Sequence, residues 1–172
     1  MIRKEKLEEL KTIIETLRTV EIVPRKVEQE KKFLQSEVYS FKLNNRMVIS
    51  REKLVKGKKD GSACIIVPIL ENGDVMIVIE PRVFTDLTVG IGFPAGYVEA
   101  DEPVEVAALR ELREETGLVP EKLIELDSYY QDEGCSSALN HIFLALDCKC
   151  QYDQELDPDE VVQYMTLRYD EL

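Results

Sequence analysis

Three glutamates in the run Arg110-Glu111-Leu112-Arg113-Glu114-Glu115 have the spacing to share one face of a helix. Residues three and four apart are neighbours on a helix surface, so Glu111 and Glu115 project together and Glu114 lies beside them. Ala108, Leu109 and Leu112 form the adjoining apolar stripe, with Glu115 at its edge. At least one of the carboxylates is therefore expected to be partly buried. Crowded, desolvated carboxylates repel one another and hold protons above their usual range. Arg110 offsets part of this by pairing with Glu114 at i,i+4. A divalent cation would turn the remaining repulsion into coordination. All-oxygen ligands suit a hard ion, Mg²⁺ or Mn²⁺, and such ions also bind phosphates. Carboxylates on a helix are most often simply solvated, but here residues 90–98 form a glycine-rich stretch that lets backbone approach closely. Spacing alone leaves both readings open.

The elements that must position these residues can be read from periodicity. Pro103 suits the first turn of the glutamate-bearing helix, Asp101 or Glu102 can cap it, and Gly117 can end it in the left-handed conformation. Before it, residues 63–70 and 75–79 read as two strands joined by Glu71-Asn72-Gly73-Asp74, a hairpin-turn composition. After it, residues 123–130, 140–146 and 161–166 read as strands. Strands on both sides of one long helix predict a mixed α/β layered domain. Residues 3–18 read as an amphipathic helix, with Leu7, Leu10, Ile13, Ile14 and Leu17 recurring at three- and four-residue steps. Its polar face mixes both charge signs, which favours packing on the domain or a partner over a membrane surface. Pro24 breaks that pattern. Residues 20–58 read as a small β-rich appendage with a turn at Asn44-Asn45. The boundary is the polar stretch around residue 58, which predicts an N-terminal segment 1–58 and a core domain 59–172.

The run from Gly96 to Leu118 resembles a known motif. Gly96 is followed after five residues by Glu102, and after seven more by Arg110-Glu111-Leu112-Arg113-Glu114-Glu115-Thr116-Gly117-Leu118. This is similar to the Nudix box, G-x5-E-x7-R-E-U-x-E-E-x-G-U, where U is a bulky aliphatic residue. The resemblance covers roughly residues 40–170, and Pro94-Ala95-Gly96 opening the box is similar to the ADP-ribose and nucleotide-sugar pyrophosphatase branch. The resemblance implies an α/β/α sandwich with a mixed sheet. It implies divalent-metal-dependent hydrolysis of a nucleoside diphosphate linked to another moiety, in this branch ADP-ribose or a related nucleotide sugar. The alternative is another such derivative: a triphosphate, a dinucleoside polyphosphate or a coenzyme. A non-catalytic nucleotide sensor is disfavoured, because no box glutamate is missing.

The same resemblance implies roles. Glu111 and Glu115 carry over as metal ligands, joined by Glu114 and the backbone carbonyl of Ala95. Arg110 orients the glutamates, Glu102 supports them, and Gly96 and Gly117 are structural. In this branch the general base lies on a late loop, and Gln154-Glu155-Leu156-Asp157-Pro158-Asp159-Glu160 falls at the equivalent place; Glu160 is the first choice, then Asp157 or Glu155. Arg82 and Arg51 match substrate-binding arginines. Glu133 lies close to a loop linked to ADP-ribose specificity, although that loop here lacks the usual proline. Gly92 stands where relatives carry an acidic residue, and Pro81 replaces the usual neighbour of Arg82. Phe84 and Tyr39 could stack on a base, with core packing the commoner fate of such rings. His141 reads as a packed strand residue.

Charge sharpens the picture. The chain has 34 acidic and 22 basic residues, a net of −12. Residues 99–115 and 153–160 each carry −5, so the excess is local. The remainder lacks the basic footprint of a nucleic-acid binder or a polybasic membrane anchor. No apolar run approaches the ~20 residues needed to span a bilayer. The N-terminal residues lack the apolar segment of a secretory signal. Four scattered cysteines suit free thiols in a reducing compartment. A cytoplasmic homodimer acting on a small nucleoside diphosphate derivative is the expectation.

Overall fold

The computed structural model describes residues 2–18, 33–42, 48–57 and 59–172. The turn expected at Asn44-Asn45 lies outside them. Among these residues, helix α1 (Lys4–Arg18) is followed by a two-stranded antiparallel ribbon, β1 (Leu34–Lys42) and β2 (Val48–Lys56). The body is built from β3 (Ala63–Leu70), β4 (Val75–Arg82), β5 (Thr88–Gly92), β6 (Ala95–Tyr97), helix α2 (Val104–Thr116), β7 (Leu118–Val119), β8 (Lys122–Tyr130), β9 (Leu139–Cys150) and β10 (Gln163–Leu167). A 3₁₀ turn at Tyr169–Glu171 follows.

The sheet is mixed, in the order β10-β4-β3-β9-β7, with β5 added to β4, β6 to β3 and β8 to β9. Its centre is a parallel pair: Ala63 faces Asn140 and Ile66 faces Phe143 across β3 and β9. Pro68 can donate nothing to a ladder, and the register shifts just beyond it, where Leu70 meets Cys148. Asp147 takes up the extra residue with a positive φ of 52°.

Successive strand residues point to opposite faces, and β4 shows both. Met76 joins Cys64, Ile66, Ala107, Ala108, Leu112 and Phe143 in the core under α2. Ile77 and Ile79 join Val89, Met165 and Leu167 in a second core, covered by Leu10, Ile13, Ile14 and Leu17 of α1. The layers are thus helix, sheet, helix, and the amphipathic first helix packs on the body. Arg3 at its start donates to the carboxylate of Glu171 at 2.8 Å. The Glu171 side chain is fully enclosed, and the guanidinium, foremost by this hydrogen bond, holds its carboxyl down at about 2. The start of α1 is tied there to the 3₁₀ turn after β10.

The start of α2 corrects an expectation. Pro103 occupies the cap position, and no side chain caps the helix. Glu102 is committed elsewhere, accepting from Glu99 N at 3.0 Å and from Arg110. The apolar stripe is also displaced by one residue: Leu109 is exposed, while Ala107, Ala108, Leu112, Glu115 and Thr116 are buried. At the far end Gly117 adopts φ 72° and donates to the Arg113 carbonyl, the expected left-handed stop.

Candidate active site

Two neighbouring strands bring the backbone to α2. Beside Cys64 on β3, β6 places Gly96 so close to the helix that an added Cβ would lie 2.0–2.2 Å from the carboxyl atoms of Glu111. Any side chain there would have to displace the Glu111 carboxylate, and the constraint comes from that contact, not from backbone angle. One residue earlier, Ala95 N donates to Glu115 Oε2 at 3.2 Å. Glu115 is 6% exposed. Burial, followed by the charges of Glu111, Glu80 and Glu160, pushes its carboxyl up to about 8, against the lowering effect of the Ala95 amide. Burial also raises Glu111, opposed by Arg110.

Arg110 is the organiser of this cluster. Its Nε and Nη2 hold Glu102 at 2.9 and 3.0 Å, a bidentate pairing. Its Nη1 reaches Glu111 at 2.7 Å and Glu114 at 3.1 Å, and Nη2 also donates to the Tyr97 carbonyl at 3.1 Å. The expected i,i+4 pair with Glu114 is one of five bonds. A lysine could not replace this fork.

The second acidic segment arrives by a route absent from the sequence reading. The last turn of a helix leaves carbonyls without intrahelical partners. Gln154 Nε2 donates to the Glu115 carbonyl at 2.6 Å and to the Val162 carbonyl at 3.1 Å, and Glu155 N donates to the Glu114 carbonyl at 2.9 Å. The acidic loop is thereby fastened to the end of α2. Asp157 and Glu160 close a turn, with Glu160 N on the Asp157 carbonyl at 2.9 Å.

Together these elements wall a cleft of about 810 Å³. Glu80, Arg82, Ala95, Gly96, Arg110, Glu111, Glu115, Asp157, Asp159 and Glu160 line it, with Ala63, Tyr97, Gln131 and Asn140. Of the residues singled out from sequence, Glu111, Glu115, Ala95, Gly96, Arg110, Arg82, Asp157 and Glu160 are brought together. Glu114 and Glu102 stand behind Arg110 and are not among the lining residues. Glu155 pairs with Arg113 at 3.2 Å, also away from the cleft. Arg51, whose Nη1 donates to the Ser50 carbonyl at 3.0 Å, and Glu133 are exposed and outside it. The loop carrying Glu133 docks on β2 instead, where Leu54 N donates to the Cys135 carbonyl at 2.6 Å. Phe84 is wholly exposed and Tyr39 is 43% exposed, against the expectation of core packing. His141 lies on β9, paired with Glu125 at 2.9 Å.

Sequence reasoning missed Glu80, Gln154 and Asn140. Glu80 is a lone acid ending an apolar strand, and it pairs with Arg82. Burial raises its carboxyl, against the pull of that arginine. The one signal for Gln154 is its neutrality within an acidic run.

Among the described residues no three acidic side chains are already gathered as a ligand cage, because Arg110 draws Glu111 and Glu114 to itself. The donor chemistry nevertheless fits a hard cation. All available atoms are oxygens, Glu115 is nearly enclosed with one amide donor, and its carboxylate neighbours oppose its ionisation.

Comparison with known proteins agrees with this geometry. The NUDIX domain family profile matches residues 59–172. The chain is 30% identical over 145 residues to the ADP-ribose pyrophosphatase of Bacillus subtilis (strain 168), covering 80% of this chain and 77% of that one. It is 37% identical over 82 residues to the methanol dehydrogenase activator of Bacillus methanolicus, covering 47% of this chain and 44% of the relative. A solved structure titled an ADP compounds hydrolase superposes with a TM-score of 0.66 over 87% of this chain and 76% of that chain, at 24% identity. The chain belongs to the Nudix hydrolases, on their ADP-ribose pyrophosphatase branch.

Proposed function

We propose that this enzyme hydrolyses the pyrophosphate bond of ADP-ribose or a related nucleotide sugar, using Mg²⁺ or Mn²⁺, to a nucleoside monophosphate and a sugar phosphate. The observation that carries the reading is the meeting of Glu111, Glu115, Glu80 and Glu160 with Arg82 and Arg110 in one cleft. Family membership and the Bacillus subtilis relative support the substrate class.

Glu111, Glu115 and the Ala95 carbonyl, with Glu114 if Arg110 releases it, would hold the cation. A bound divalent ion neutralises phosphate charge and lowers the pKa of water. Arg82 faces the cleft and would pair with the diphosphate, exchanging its contact with Glu80 for phosphate oxygens. Arg110 opposes the burial that raises Glu111 and holds its carboxylate in place. Glu160 would take a proton from the attacking water; the oxygen joins one phosphorus and the bridging oxygen leaves with the other. Asp157 is the alternative base, whereas Glu155 is already engaged by Arg113. Segment 1–58 would serve dimerisation and the substrate site, and Arg51 and Glu133 would act there. Exposed Leu34, Val38 and Val48 on the ribbon support a homodimer, and a sedimenting monomer at micromolar concentration would count against it. A cytoplasmic setting belongs to the same reading, supported by four free thiols.

The test is phosphate release, coupled to a phosphatase, across nucleotide sugars, dinucleotides and triphosphates with each metal. Glu160→Gln should lower turnover by about 10²-fold or more while leaving the cation-induced rise in melting temperature intact. Near-full activity in that variant would remove Glu160 as the base, and no hydrolysis of any substrate would remove the enzymatic reading.

A further inference from the structure

Asn140 is a polar residue that the chemistry above leaves unused. It stands at the start of β9, beside Ala63 in the parallel ladder and opposite Tyr129 in the antiparallel one. It is 7% exposed, yet lines the cleft. Every fully buried side-chain nitrogen or oxygen among the described residues has a hydrogen-bond partner. Among the described residues the Asn140 amide has no hydrogen-bond partner, so its polar atoms are not fully buried, and the cleft that Asn140 lines is the opening beside them. A largely desolvated amide without a partner is costly, and such groups in native folds call for an explanation.

The surroundings say what kind of partner fits. Ala63 and Ile65 are two residues apart on β3 and both line the cleft. Ala95, whose amide holds Glu115, pairs with Ile65, whereas Asn140 pairs with Ala63. Asn140 is thus displaced by one pleat repeat, roughly 7 Å along the strand, from the acidic centre. Gly61, Ala63, Tyr97 and Gln131 line the cleft with it and are uncharged, and the one charged neighbour at this end, Glu99 just past Tyr97, is an acid that would repel a phosphate. Small residues leave room there. A neutral amide donates and accepts at once, which suits an uncharged edge that does the same and not a phosphate.

We propose that Asn140 is a substrate-binding residue whose amide hydrogen-bonds the uncharged group continuing from the diphosphate, through a vicinal diol or a base edge. This rests on the hydrolase reading above. The chemistry is shared by the sugar and the nucleoside halves of the substrate, and the two products separate them.

The experiment compares wild type with Asn140→Leu and with Asn140→Ser, which keeps a small polar side chain should the leucine disturb folding. ADP-ribose turnover is measured with Mg²⁺, the binding of AMP and of ribose 5-phosphate by calorimetry, and melting temperature as the folding control. The expected result is a KM raised about tenfold with kcat held within about threefold. One product should bind about tenfold more weakly and the other unchanged, which identifies the half that Asn140 holds. Unchanged KM and product affinities in a folded variant overturn the proposal. Equal weakening of both products also overturns it, because that marks a packing role. A wild type that hydrolyses none of the substrates, but binds one product through Asn140, would overturn the hydrolase reading and leave this one standing.

Discussion

Glu115 offers a test in which stability and activity move in opposite directions. Burial, with its acidic neighbours, pushes its carboxyl up to about 8 against the ordinary glutamate value of 4.5. At 1.36 kcal/mol for each pH unit, full ionisation costs about 5 kcal/mol at most. Glu111, Glu80 and Glu160 share in that cost through their charges. Between about pH 4.5 and 8 the unfolded chain has lost a proton that the folded chain keeps. Stability of the wild type therefore falls as pH rises through this window and levels off above it. Glu115→Gln keeps the shape and an oxygen for the Ala95 amide but carries no charge. In EDTA at pH 8.5 the variant should be more stable than wild type by about 2 kcal/mol or more, a rise in melting temperature of at least about 4 °C. Near pH 4 the two should coincide. With Mg²⁺ restored, the variant should gain less stability than wild type and turn over substrate about 10²-fold more slowly or worse. Urea unfolding in EDTA across pH 4–9 measures the first effect, and phosphate release the second. A variant less stable than wild type at pH 8.5, or a difference that ignores pH, would refute the idea that Glu115 is held ionised at a cost to the fold.

Gly96→Ala puts a methyl where the Glu111 carboxylate lies, so turnover should drop by about 10²-fold or more, with circular dichroism showing a folded protein. Gly117→Ala combines φ 72° with a Cβ 2.0 Å from the Tyr152 carbonyl oxygen. It should destabilise the fold by about 2 kcal/mol or more in urea and loosen the acidic loop that follows. Arg3→Ala removes the nearer of two arginine partners of the enclosed Glu171 carboxylate, leaving Arg168, and should lower the melting temperature at pH 7. The gap should close as pH falls below about 4.5 towards 2, the window in which the wild-type pairing is itself lost.

What could be read from the chain alone was the chemistry carried by neighbours along it. The positions of Glu111, Glu114 and Glu115 follow from helical repeat, the stop at Gly117 from its freedom at positive φ, and the β3–β4 hairpin from Asn72-Gly73, where Gly73 sits at φ 82°. These are local constraints, settled within a few residues. Arg110 is the intermediate case: its bond to Glu114 is local, but its commitment to Glu102 depends on the return of the loop before α2. That commitment also explains why Glu102 does not cap the helix.

The rest depended on pairings between distant segments. Asn140 enters the cleft because β9 runs parallel beside β3 with Ala63 as its neighbour. Shifting that register by one would turn the amide to the other face. Glu80 becomes part of the site because β4 ends at the cleft, and Gln154 because it meets carbonyls that α2 cannot satisfy by itself. The loop bearing Glu133 goes to β2 for the same kind of reason, a backbone hydrogen bond made across the fold. Spacing determined which carboxylates could act together, since bond geometry links i to i+4. The choice of groups facing them was made by sheet register and by unsatisfied backbone carbonyls, which exist only once the chain has folded.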